Sequence, residues 1–255
     1  LISSCNGQEY RNDPSNKPIQ KSIGTQNSIL VNKPIEQISQ VVRMMFQDSK
    51  GNIWFGAENG AWKLTGQTLI HIDSIKSESG KGVTIKDITE DKDGTIWLGH
   101  TDGISSIKGE TVKNYYQSDG LISNDVWCIN SDAEGKIWIG TIEGACIFDG
   151  KTFSNFELPL GIKDSTVGVS SAKMINKILL DRKGKLWIAS NAGLFSYSNN
   201  TLTYVSKNMG IKTNLVSIGF EDKSEVLWIT SKEGLYTLSN GVAKKITNSN
   251  IELGK

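Results

Sequence analysis

Histidine is scarce in this chain: 2 among 255 residues, His71 and His100. Metal centres and general bases at neutral pH draw heavily on this side chain. The two histidines lie in separate segments, so no histidine dyad or short-spaced ligand set can be written. No Ser stands on a recognisable nucleophile elbow. An excess of charge of one sign is also missing. Lys and Arg total 28 against 27 Asp and Glu, a formal net charge of +1. No global field would draw nucleic acid to the protein, and the pair Lys244-Lys245 reads as a solvated edge. No apolar run approaches the ~20 residues that a membrane-spanning helix needs. Cysteine occurs only 3 times. Cys128 and Cys146 fall in strand-like segments with no metal-ligand partner at short spacing, which reads as buried free thiols rather than a disulfide. No metal and no cofactor is expected.

The third cysteine stands in Leu1-Ile2-Ser3-Ser4-Cys5. An aliphatic residue, two small residues and then Cys resembles the bacterial lipobox, in which the Cys is lipidated and the preceding signal sequence is removed. With Leu1 where a Met would start, most of that signal is expected to precede these residues. The alternative is an unmodified Cys in a polar tail. Residues 6–26 are rich in Asn, Ser, Gln, Lys, Gly and Pro. Such a segment buries too little apolar surface to offset its ordering entropy and reads as a tether. The expectation is a lipid-anchored start and tether over 1–26 and a folded domain over 27–255, held at the bacterial cell envelope.

What the chain has in quantity is repetition. An Asp is followed six residues later by Trp and six after that by Gly, in five copies. They are Asp48, Trp54, Gly60; Asp91, Trp97, Gly103; Asp132, Trp138, Gly144; Asp181, Trp187, Gly193; and Asp222, Trp228, Gly234. Successive Trp residues are 43, 41, 49 and 41 apart. A period of about 40 to 50 residues marks a propeller with one four-stranded blade per repeat. The expected fold is all-β, a five-bladed propeller closed in a ring, with blades at about 41–73, 83–117, 125–157, 174–206 and 215–247. Val242 to Ile246 can complete the fifth blade, or Ile29-Leu30-Val31 can add an edge strand that seals the ring.

One blade can be read residue by residue. Val83 to Glu90 is strand-like and runs into the turn Asp91-Lys92-Asp93-Gly94, where Gly accepts the positive φ of a tight hairpin. In the fifth repeat this turn is Asp222-Lys223-Ser224-Glu225, without Gly, and strain or another turn type is expected there. Thr95-Ile96-Trp97-Leu98-Gly99 follows, with Ile96 and Leu98 on one face and Trp97 on the other. Both faces are apolar, as suits a blade sandwiched between two neighbours. The five Trp rings are therefore expected to be structural.

Trp138-Ile139-Gly140-Thr141-Ile142-Glu143-Gly144 resembles the two-component regulator propeller repeat. So do the Asp-x-x-Gly turn before it and the crossover Asp119-Gly120-Leu121-Ile122-Ser123-Asn124. The resemblance runs from about Val41 to Ile246. It implies a propeller of the kind found in periplasmic sensing portions of bacterial two-component regulators, often linked to polysaccharide use, and in stand-alone secreted proteins and lipoproteins. No kinase and no second propeller lies within these residues, so the expectation is a binding scaffold and not a transducer.

In such a blade the crossover before the first strand and the second hairpin open on one face. The candidate ligand-binding rim is Asn59, His100, Asp102, Asn124, Glu143, Asn191, Asn214 and Glu233. Carboxylates and amides suit sugar hydroxyls or a hydrated cation, while solvation alone also makes hairpin tips polar. Five residues before each Asp stand Arg43, Lys86, Trp127, Asn176 and Ser217. This slot varies between blades while its neighbours stay apolar, and the first four are the candidate channel residues. The crossover 157–173 is long, and its Leu158, Leu160, Ile162 and Val167 need cover over the channel or on a partner. The expected ligand is a glycan. The alternative is docking of another envelope protein, and a minor alternative is a lyase or hydrolase centred on His100 with Asp102 and Glu143.

Overall fold

The computed structural model describes residues 38–161, 171–206 and 215–247. Cys5, Ile29 to Val31, Ile162, Val167 and Asn214 lie outside them. Five antiparallel four-stranded sheets make up the fold, each in chain order across the blade. Blade 1 holds β1 (Val42–Gln47), β2 (Ile53–Ala57), β3 (Gly60–Thr65) and β4 (Thr68–His71). Blade 2 holds β5 (Ile85–Glu90), β6 (Ile96–His100), β7 (Gly103–Lys108) and β8 (Thr111–Tyr115). Blade 3 holds β9 (Val126–Ser131), β10 (Ile137–Thr141), β11 (Gly144–Phe148) and β12 (Phe153–Phe156). Blade 4 holds β13 (Ile175–Leu180), β14 (Leu186–Ser190), β15 (Gly193–Ser198) and β16 (Thr201–Tyr204). Blade 5 holds β17 (Val216–Glu221), β18 (Leu227–Ser231), β19 (Gly234–Ser239) and β20 (Val242–Lys245).

The repeat spacing is a hydrogen-bonding device. In every blade the triplet Asp takes the Trp indole N–H on Oδ2: Asp48–Trp54 at 2.9 Å, Asp91–Trp97, Asp132–Trp138 and Asp181–Trp187 at 2.8 Å, Asp222–Trp228 at 2.9 Å. Its Oδ1 accepts the backbone N–H two and four residues on, as Asp132 does from Glu134 and Lys136. One carboxylate therefore ties the first hairpin and the ring together. The fifth turn keeps this geometry without glycine. Glu225 sits at φ 61, where the other blades carry Gly51, Gly94, Gly135 and Gly184, a strained position for a residue with a Cβ.

The cores lie between blades. Trp54 packs with Ile85, Ile88, Ile96 and Leu98 of blade 2. Trp97 packs with Val126, Ile129, Ile137 and Ile139 of blade 3. Trp138 packs with Ile175, Ile178, Leu186 and Ile188 of blade 4. Trp187 packs with Val216, Ile218, Leu227 and Ile229 of blade 5. Each ring removes about 150–250 Å² from water, about 4–6 kcal/mol of transfer free energy at most. The Gly two residues after Trp lets the next inner strand approach. A Cβ at Gly56 would lie 2.8 Å from Ile85, at Gly99 2.8 Å from Val126, and at Gly140 2.7 Å from Ile175.

The innermost strands pack in series: β1 on β5, β5 on β9, β9 on β13 and β13 on β17. The expected ring closure rests in part on Ile29 to Val31, which lie outside the described residues. Among the described residues β17 and β1 make no comparable packing, and the hydrophobic clusters join only consecutive blades. Closing a ring needs the last blade to meet the first, and local blade chemistry does not determine the angle that brings it there. The rule that both faces of a blade are buried consequently fails at the ends. Met45 in β1 is 66% exposed, whereas its blade 2 counterpart Ile88 is 3% exposed.

Candidate functional site

The variable channel slot has a structural cause. β1, β5, β9 and β13 each carry a bulge near their start, seen as a register shift between Val42 and Met44, between Ile85 and Asp87, opposite Gly140 and Thr141, and between Ile175 and Lys177. The residues stepped out of the ladder are Arg43, Lys86, Trp127 and Asn176. A bulge re-aims its side chain and frees it from packing in the sheet, which is why this slot tolerates four different chemistries. Blade 5 departs. Ser217 pairs in register with Thr230, and the shift falls between Ile218 and Phe220.

Each bulge side chain is anchored. Arg43 donates to Glu58 on the hairpin tip of its own blade at 2.9 Å. The Lys86 ammonium donates to Asp125 at 2.5 Å and lies 3.9 Å from the centroid of the Trp127 ring. Asn176 donates to Asn191 Oδ1 at 3.1 Å and to the Val216 carbonyl at 2.9 Å. Trp127 remains 40% exposed. It is an indole on an innermost strand, held by a cation–π contact and offered to solvent.

One position along β5, the chemistry changes from open to closed. Asp87 of blade 2, buried, takes the Lys177 ammonium of blade 4 at 2.8 Å and the Ile129 backbone N–H of blade 3 at 3.1 Å. Three blades meet on one carboxylate. Burial would lower the Lys177 pKa, but the Asp87 charge and hydrogen bond raise it above the ordinary lysine value. Nearby Cys128 is fully enclosed, and burial pushes its thiol up to about 12. Cys146 is pushed up to about 11 by the same cause. Both are free and buried, and neither is a nucleophile at neutral pH.

The expected rim divides into structural and exposed members. Asn59 accepts the Trp62 indole N–H at 3.1 Å. Asn124 caps the Gln117 N–H at 2.7 Å. Asn191 is buried and donates to the Ser171 carbonyl at 2.6 Å. Asp102 accepts the Glu78 N–H at 3.0 Å. Glu233 accepts the Tyr236 hydroxyl at 3.0 Å. Glu143 is exposed and borders a cavity of about 40 Å³ with Pro159, Leu160, Lys173 and Ser190, room for water and not for a sugar ring. Of the crossover leucines, Leu158 packs against the core between blades 3 and 4, and Leu160 is exposed.

His100 is not on the rim. It is fully buried at the end of β6. Its Nδ1 accepts the Asp102 backbone N–H at 3.3 Å, and its Nε2 faces Ser105 Oγ at 3.0 Å, which donates in turn to Asn114 at 2.6 Å. The Asp102 carboxylate points to Glu78 instead. Burial holds the imidazole pKa down to about 4. The grouping of His100 with the Asp102 and Glu143 carboxylates is thus corrected: a β-strand end that reads as a loop edge is covered by its neighbours. Among the described residues no group of three His, Cys, Asp or Glu side chains is placed to hold a metal ion.

Sequence reasoning missed Asp125, Asp87 and Lys177. A signal existed. At the slot occupied by Met44 and Cys128 in blades 1 and 3, blades 2 and 4 carry Asp87 and Lys177. Opposite charges two repeats apart in an otherwise apolar slot are a readable pair.

The blades, their inter-blade cores and the bulged inner wall define a β-propeller. The two component regulator propeller family matches residues 36–59, 79–102 and 120–143, and the chain carries repeats of that family. No curated protein matches significantly. Among solved structures, the extracellular domain of BT3049 of B. thetaiotaomicron, by its description a hybrid two component system, is 26% identical with a TM-score of 0.66. The alignment covers 84% of this chain and 30% of that one. The extracellular domain of BT4673, described as a one component system of the same organism, is 19% identical with a TM-score of 0.61, covering 84% and 33%. This chain therefore spans about a third of either extracellular domain. Virginiamycin B lyase from Staphylococcus aureus shares the fold at 16% identity and a TM-score of 0.60, covering 81% and 70%.

Proposed function

We propose that this propeller is a cell-envelope binding scaffold that takes a glycan on its inner wall. The observation that carries the reading is Trp127, an exposed indole on the bulge of an innermost strand, beside Lys86 and Asp125. A sugar ring stacks on the indole face. Arg43, Lys86, Asp125 and Asn176 supply donors and acceptors to its hydroxyls. The Asp87–Lys177 pair lies one residue beyond Lys86 and Asn176. The extracellular domains to which this fold is similar support an extracytoplasmic setting, and Cys5 supplies the lipid anchor. Binding, not catalysis, is the reading, because His100, on which the catalytic alternative centres, is enclosed and already bonded.

An oligosaccharide panel read by titration calorimetry tests this. Trp127→Ala is expected to weaken the bound glycan at least tenfold, about 1.4 kcal/mol, with the fold intact by circular dichroism. Binding that survives this change removes the inner wall as the site. A panel with no binder, together with an envelope protein that co-purifies, replaces the glycan reading with protein docking. Lipidation has its own test. Metabolic labelling with palmitate should mark the full-length protein and not the Cys5→Ala variant.

A further inference from the structure

The wedges between successive blades are built alike, and the one between blades 2 and 3 is left open. In each wedge two slots flank the triplet Trp on its own face: the residue two before it and its cross-strand partner. In blade 1 the partner Lys63 sits over the Trp54 ring, 5.2 Å from its centroid. In blade 3 the slots hold Lys136 and Ile147, and Tyr197 of blade 4 lies 5.2 Å from Trp138. In blade 4 Lys185 sits over Trp187 at 5.4 Å. Blade 2 carries Thr95 and Ser106 instead. These short side chains leave a cleft of about 420 Å³ over Trp97, Tyr115 and Phe148, within the ~300–1,000 Å³ of small-molecule sites. Thr95 and Ser106 are each 7% exposed, yet their hydroxyls make no hydrogen bond to any described residue and face the cleft.

The outer strands of the same face carry the opposite change. Ser106 pairs with Lys113, and Lys108 pairs with Thr111. The slots matching Lys113 and Lys108 hold Ile70 and Thr65 in blade 1, Ser154 and Asp149 in blade 3, and Thr203 and Ser198 in blade 4. Blade 2 has thus lost the cation that covers the ring and gained two at its rim. Lys108 and Lys113 are diagonal neighbours on adjacent strands, about 7–8 Å apart. No described carboxylate lies within ion-pair distance of either. Asp149, between the lining residues Phe148 and Gly150, turns its carboxylate onto the N–H groups of Lys151 and Thr152.

We propose that this cleft binds an acidic sugar unit, a pyranose that carries a carboxylate or a sulfate. The two ammonium groups straddle the anionic group. The ring lies over the aromatic floor, and the Thr95 and Ser106 hydroxyls pair with sugar hydroxyls. Charge separates this cleft from the inner wall, where Arg43 and Lys86 already hold the carboxylates of Glu58 and Asp125.

Saturation-transfer NMR titrations with glucuronate, glucose 6-sulfate and glucose test this, in the Trp127→Ala background so that the inner wall does not contribute. At least one acid is expected to bind, and which one names the anionic group. Glucose should bind roughly tenfold more weakly or not at all. Lys108→Gln with Lys113→Gln, two exposed positions, should weaken the acid roughly tenfold or more. Thr95→Lys, which copies Lys185, adds a positive charge but fills the cleft, and should abolish binding with the fold intact by circular dichroism. The glutamine pair decides the matter if Thr95→Lys does not fold. Failure of both acids to bind overturns the proposal, as does glucose that binds equally well. So does an unchanged affinity in the glutamine pair or in folded Thr95→Lys, the mark of a loose attraction to surface charge.

Discussion

Asp132 Oδ2 accepts the indole N–H of Trp138 at 2.8 Å while its Oδ1 accepts the backbone N–H groups of Glu134 and Lys136. One carboxylate thereby couples a turn to the ring that fills the next inter-blade core. Hydrogen bonds to a charged acceptor contribute about 1.5–3 kcal/mol. Asp132→Ala should lower stability by about 3 kcal/mol in urea titration, and Trp138→Phe by about 2 kcal/mol. Asp222→Ala should cost less, since Trp228 is only partly covered. Equal losses at both positions would argue against the coupling.

Acid should weaken the protein through His100. Its folded pKa is held at about 4 by burial, below the ordinary 6.5. The folded state keeps the ring neutral while the unfolded chain binds a proton, so stability falls as pH drops from about 6.5 to about 4. The loss across that window is about 3 kcal/mol. Asp48 adds a second limb at lower pH. Burial pushes its carboxyl up, but hydrogen bonds from Trp54, Asn52 and Lys50 outweigh this and leave it below the ordinary 3.8. That contribution is present above the unfolded value and is lost as pH falls through the folded one. Denaturant midpoints measured against pH should show the first limb in the wild type and not in His100→Gln.

Glycine at the Trp-x-Gly position is a spacing requirement. A Cβ at Gly140 would stand 2.4 Å from Cys128 Sγ and 2.7 Å from Ile175 Cγ2. Gly140→Ala is expected to destabilise by about 1–3 kcal/mol through overpacking. At Ala189 the Cβ is native and buried, so Ala189→Gly should cost about 1–2 kcal/mol, the backbone term plus the lost burial of one methyl group. Thermal melting of the two variants measures both losses.

The Asp87–Lys177 pair spans three blades and is largely removed from water. Deleting one partner leaves the other charge uncompensated, a loss of about 3–5 kcal/mol. Asp87→Ala should therefore destabilise strongly. The double change Asp87→Leu with Lys177→Met should recover much of the loss, because an apolar pair of similar volume removes both desolvation costs. A double variant as weak as the single one would mean that the ion pair itself holds the three inner strands together.

Much of the fold was legible in the residues. The twenty strands of the described residues, the glycine that ends the second hairpin of each blade and the Trp rings between blades follow from period-two alternation and fixed spacings within about forty residues, which local sterics enforce without help from distant segments. The strained turn at Glu225 was legible for the same reason, since a missing Gly cannot change the φ that the hairpin demands. The site was less so. Arg43, Lys86, Trp127 and Asn176 were visible as a variable slot, but the bulges that turn them out of the ladder are properties of strand pairing. His100 was placed on a rim because its own segment ends there, and neighbouring chain covers it. The amino-acid sequence by itself determined the blades. Tertiary structure alone decided that Asp87 meets Lys177 and that His100 is enclosed. The first depends on the packing angles of three successive blades, and the second on side chains of the neighbouring strands that close over the end of β6.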